Sequence, residues 1–153
     1  MKSIVHRLSI ILLSLLQLFL GINGLIGGIL LVLKTDGSLL GMQVDWLIRS
    51  PFKNYLIPGI LLSLFLGILP LITFLGLIKR RNWRFTNLFN LYRDKNWAWS
   101  FSLYTGIIAI FWITIQLILT QYFWIQPLII FNGLFIIIVT MIPEVKKHFE
   151  LNR

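Results

Sequence analysis

The chain reads as all-α and membrane-bound: four transmembrane helices in one bundle, residues 1–153, with a short interfacial helix in the first outer loop. Three observations predict this. Apolar runs of about 20 residues recur, the length a helix needs to cross a ~30 Å hydrocarbon core. Charged residues are only 12% of the 153, against roughly a quarter in soluble domains, so long stretches carry none. The basic residues gather at the ends of those stretches, where they orient helices. Runs such as LIIFNGLFIIIVTMI are apolar on every side, without the alternation of an outer-membrane barrel.

The opening MKSIVHRLSIILLSLLQLFL begins as a secretory signal does, basic and then apolar. A signal's apolar region ends after about 7–15 residues. Here it continues from residue 8 to 33, so a retained first span is expected. At 1.5 Å per residue it reaches roughly 39 Å, which implies tilt or protrusion.

The outer loop, 34–54, comes next. A helix from Ser38 would place Leu40, Val44, Leu47 and Ile48 on one face and Gly41, Asp45 and Arg49 on the other. Asp45 and Arg49 stand in the favourable order for an i,i+4 ion pair. Asp36-Gly37 marks a turn before this helix, Trp46 an anchor in the interface, and Ser50-Pro51 its end and the start of the next. The second span, 55–78, carries Pro58 in its first turn, where a missing N–H costs little. Pro70, past the middle, removes the bond to the Leu66 carbonyl and predicts a kink.

The basic loop, 79–96, sets six Lys/Arg against the single acid Asp94. Phe85, Leu88, Phe89 and Tyr92 fall on one helical stripe, so this segment is expected to lie among anionic headgroups. The third span is 97–119. A short link bearing Tyr122, Phe123 and Trp124 suits an interfacial belt, and the fourth span, 123–142, is stopped by Pro143. A polar tail, 143–153, ends the chain.

Lys and Arg set the orientation. Lys2, Arg7, the six of the basic loop, Lys146, Lys147 and Arg153 make eleven on one side, against Lys34, Arg49 and Lys53 on the other. The rule that basic loops stay inside puts both termini in the cytoplasm and the 34–54 loop outside, in an inner or plasma membrane. The net charge of +9 is therefore assigned to the bilayer as partner and not to nucleic acid.

Between helices in lipid, close backbone approach replaces the hydrophobic effect. Small residues recur at four-residue spacing in three spans: Gly24 and Gly28; Gly59, Ser63 and Gly67; Ala98, Ser102 and Gly106. They predict a compact bundle with one stripe over for a second copy. Gln17, Asn23, Gln116 and Asn132 lie at membrane depth, where they make either interhelical hydrogen bonds or a polar pathway.

Catalytic chemistry is sparse. No ionisable residue lies within a span, which disfavours proton-coupled transport. There is no cysteine, which excludes disulfide, thiol, Fe–S and Cys-zinc chemistry. His6 and His148 sit at helix ends, unsuited to heme, and no phosphate loop or hydrolase motif occurs. No cofactor, no metal site and no enzymatic activity are expected. The outer-loop charges Asp36, Asp45, Arg49 and Lys53 are the candidate site.

Gly27-Gly28, Gly37-Ser38-Leu39-Leu40-Gly41, Ser50-Pro51-Phe52, Tyr55-Leu56, Pro58-Gly59, Gly67 and Pro70-Leu71 resemble a family of small uncharacterised bacterial membrane proteins. Its members have four predicted spans and a "GSLLG…SPF…YLxPG" pattern in the first outer loop. The resemblance covers residues 27–76 and implies topology and an outer-loop motif, not an activity. Three functions are then open. The leading one is a non-enzymatic scaffold or accessory subunit, self-associating or bound to a membrane-protein partner. The second is a passive transport or lipid-handling bundle, and the third an outer-surface enzyme acting on a lipid or quinone headgroup.

Overall fold

A backbone in lipid has one economical way to satisfy its amides, by bonding within its own segment, and helices form where the apolar runs lie. The computed structural model describes residues 2–79 and 83–151; Arg80, Arg81 and Arg153, three of the eleven basic residues counted above, lie outside the described residues. The helices are α1 (Lys2–Leu33), α2 (Leu56–Lys79), α3 (Arg84–Leu88), α4 (Trp97–Leu119), α5 (Gln126–Met141) and α6 (Pro143–His148). There is no strand among the described residues, only an isolated antiparallel bridge between Lys95 and Glu150.

Three helices, His6–Leu33, Leu56–Lys79 and Trp97–Leu119, are long and apolar enough to cross a membrane. Helix α5 has 16 residues, roughly 24 Å, short of a ~30 Å core. α2 is continuous past Pro70 and widens into a π turn over Ser63–Ile68 just ahead of it, the local adjustment that accommodates a missing donor.

Two ends can be told apart. At one, the His6 and His148 rings lie 4.2 Å apart and Lys95 bridges Glu150, so the start of α1, the 83–96 segment and α6 meet there. We call this the basic end. At the other, the connector between α1 and α2 meets the α4–α5 link, with the Trp46 ring 6.4 Å from Phe123. Around the bundle α1 packs on α2, the second half of α2 on α4, α4 on α5, and α5 on α1. Across the diagonal, the Gln17 amide N–H donates to the Thr105 hydroxyl (2.7 Å), which donates in turn to the Ser102 carbonyl (2.9 Å).

Three local expectations are corrected. The connector holds two 3₁₀ turns, Ser38–Leu40 and Val44–Leu47, instead of one helix. Gly41 (φ 67°) and extended Gln43 separate them, and positive φ is a backbone state that ends helical winding. The next helix starts at Leu56, five residues beyond Pro51. In the basic segment, helix α3 stops at Leu88, and Tyr92 leaves the stripe to pack edge-on against Trp99 at 5.2 Å. Within the polar tail, Val145 and Phe149 are fully buried.

That basic end is knotted together. Lys95, with only 2% of its side chain exposed, places its Nζ 2.8 Å from both Asp94 and Glu150. Asn90 donates to the Lys95 carbonyl (2.9 Å) and accepts from the Ser100 hydroxyl (2.5 Å). The Asn96 and Leu151 amides donate to the Phe149 and Asp94 carbonyls. Trp83 stacks on Trp97 at 5.4 Å.

Candidate functional site

Glycine contacts sort the four long helices into two pairs. On α1 and α2, a methyl added at Gly28 would come 2.6 Å from the Gly59 carbonyl oxygen, and one at Gly67 2.9 Å from the Leu25 Cα. Gly24 lies directly against the Leu66 carbonyl, and Gly59 against Leu31 and the Gly28 carbonyl. On α4 and α5, Gly106 and Gly133 each face the other's carbonyl, 2.9 Å from where a methyl would sit. The pairs join at the basic end, where Gly76 of α2 receives the Trp97 ring and the Ala98 methyl of α4.

Towards the connector the pairs part. The first turns of α2 lean on α1 and make no extensive contact with α4. A groove of about 530 Å³ opens there. Leu20 and Gly27 of α1, Leu62 and Leu66 of α2, and Trp112 and Ile113 of α4 line it. Phe52 and Tyr55 of the connector and Phe123 of the α4–α5 link also line it. Its lining is apolar apart from a few uncharged groups and contains no charged side chain.

Tyr55 holds the connector in place. Tyr55 is buried, with its ring against Gly37 (φ 81°), its hydroxyl donating to the Gln43 carbonyl (2.8 Å) and its amide to the Thr35 carbonyl (2.8 Å). Burial pushes the Tyr55 phenol upward from its ordinary pKa. Leu31, Leu47 and Tyr55 form a small core of their own, which pins the loop over the helix ends.

The four membrane-depth amides divide. Gln17 and Asn132 bond between helices, Asn132 donating to the Leu16 carbonyl at 3.3 Å. Asn23 and Gln116 instead line the groove, with Asn23 donating to the Phe19 carbonyl of its own helix (2.8 Å). The Trp112 indole N–H is shielded from solvent and has no acceptor among the described residues.

Beside the groove lies a recess of about 300 Å³, lined by Asp45, Trp46, Ile48, Arg49, Gln121 and Tyr122, and sharing Leu119 and Thr120 with the groove. Of the four charges singled out in the outer loop, it brings together Asp45 and Arg49. Among the described residues these two make no ion pair, because both ion pairs belong to Lys95. Lys53 is exposed and lines neither cavity. Asp36 is spent locally, accepting from the Ser38 amide (2.9 Å) and hydroxyl (2.7 Å), and these bonds hold its carboxyl below the ordinary value.

No family model, curated protein or solved structure matches the chain.

The groove itself is not visible in the sequence. Gly133 and Gly76 stand outside any four-residue stripe, and their importance comes from what faces them. Tyr55 reads as the first residue of a span, although its phenol on a helix boundary is the one cue to a tertiary role.

Proposed function

We propose that this chain is a four-span, non-enzymatic membrane protein that handles lipid, holding one lipid chain in the groove between its two helix pairs. The observation that carries the reading is the groove itself: apolar, free of charge, and within the size range of small-molecule sites. Its volume of about 530 Å³ and its apolar lining suit an elongated apolar occupant such as an acyl chain. α5 is the fourth span on this reading, since it runs from the connector end to the basic end beside α4. Both termini are cytoplasmic, and the groove belongs to the outer leaflet.

Scaffolding by small-residue stripes has less support. The Gly24/Gly28 and Gly59/Ser63/Gly67 stripes face each other, Gly106 faces Gly133, and Ala98 faces Gly76. None is over for a second copy. At the basic end, Phe85, Leu88 and Phe89 are exposed next to basic residues, which favours contact with an anionic headgroup layer.

Gly27 offers a direct test, because a methyl there meets only Leu62 at an ordinary 3.5 Å and a longer side chain extends into the groove. Native mass spectrometry of the full chain in mild detergent is expected to show a retained diacyl lipid, largely absent from Gly27→Leu. Equal lipid in both proteins removes the proposal.

A further inference from the structure

We propose that the recess beside the groove is a headgroup site and that it selects a zwitterionic phospholipid. This rests on the groove being a chain site. The two cavities share Leu119 and Thr120, so a molecule whose chain lies in the larger has its polar end at the smaller. The groove wall offers no charge, whereas the recess offers one of each sign, Asp45 and Arg49. Both residues are exposed and not paired with one another, so each is open to a ligand group.

The chemistry suits a headgroup that carries both a phosphate and an ammonium. A guanidinium donates two parallel N–H groups to phosphate oxygens. A carboxylate accepts from a primary ammonium, and the Trp46 and Tyr122 rings in the same lining add the attraction of an aromatic face for a cation. An anionic headgroup would satisfy Arg49 but bring nothing to Asp45 except repulsion. A neutral diacylglycerol would leave both charges unanswered. Asp36 and Lys53 do not line the recess and take no part.

The experiment uses delipidated full-length protein in detergent, titrated with three lipids of identical chains: phosphatidylethanolamine, phosphatidylglycerol and diacylglycerol. Binding is read by native mass spectrometry. The expected preference is about tenfold for phosphatidylethanolamine over the other two. Asp45→Asn is expected to raise phosphatidylglycerol towards phosphatidylethanolamine. Arg49→Gln is expected to lower both towards diacylglycerol. Opposite responses of this kind are not produced by loss of fold. Equal binding of all three lipids, still abolished by Gly27→Leu, would overturn the headgroup site while leaving the groove intact. Binding insensitive to Gly27→Leu would overturn both. Glycerophosphoethanolamine, which lacks chains, is expected to compete weakly; competition as strong as the lipid's own would show that the recess does not act with the groove.

Discussion

Single residues decide how closely the helices approach. Gly28 meets backbone atoms of α2, which cannot move aside, while Gly27 one position earlier meets only the end of Leu62. Gly28→Leu is therefore expected to cost about 1–3 kcal/mol by overpacking, and Gly27→Ala less than about 0.5 kcal/mol, as thermal unfolding in detergent would show. Lys95 presents the opposite case, a buried cation whose partners Asp94 and Glu150 are 66% and 51% exposed. Lys95→Met returns two carboxylates to water instead of stranding them, so the loss is expected near 1 kcal/mol and not the 3–5 kcal/mol of a fully buried pair. The pH response follows from the same contacts. The Asp94 carboxyl is held below its ordinary 3.8, chiefly by the Lys95 hydrogen bond. Its contribution is present above 3.8 and lost as pH falls through the lower folded value. Lys95 is held above its ordinary 10.5 by Asp94 and then Glu150, so its contribution is present below 10.5 and lost as pH rises through the higher folded value. Hydrogen exchange at the Asn96 and Leu151 amides, corrected for intrinsic rates, is expected to be flat between about pH 5 and 9 and to accelerate in stronger acid.

Among the elements, those fixed by length and charge were legible in the sequence. The bounds of α4 coincide with the expected third span, because Asn96 caps its N-terminus by accepting from the Ala98 amide (3.0 Å) and the apolar run ends at Leu119. Asn96→Ala is expected to cost about 1 kcal/mol, read as a lower unfolding midpoint. The connector was not legible as a structure. Its spacing permits a helix, but the winding is decided by the positive φ of Gly41 and by Tyr55, whose hydroxyl holds the Gln43 carbonyl from twelve positions away. The terminal segment shows the same limit. Val145 and Phe149 are too sparse to read as a core face, and their burial comes with the packing of α6 on α1 and α5. The stripes were visible as motifs, yet the groove depends on which stripe meets which. Pairing α1 with α2 and α4 with α5 is what leaves a gap between the pairs.

The whole molecule invites a test of threading that its composition makes simple. Because the chain has no cysteine, single cysteines report location without background. Lys53→Cys is expected to react with an impermeant maleimide on intact cells, and Lys146→Cys only after permeabilisation; the reverse pattern would invert the topology. The pairing of helices has one more consequence, which concerns the surrounding membrane. The apolar run of α1, residues 8–33, extends roughly 39 Å and α5 roughly 24 Å, yet the two helices lie side by side. Lipids next to a short apolar segment thin to match it, and those next to a long one thicken or let it tilt. On the four-span reading the bilayer around this protein is uneven, stretched along the α1/α2 side and pinched beside α5. The groove lies between those sides, where chain packing is already strained. On the proposal that the groove holds a lipid chain, a lipid leaving the bulk for it would give up less order than one leaving an undisturbed leaflet, and the protein's effect on membrane thickness would become part of its affinity.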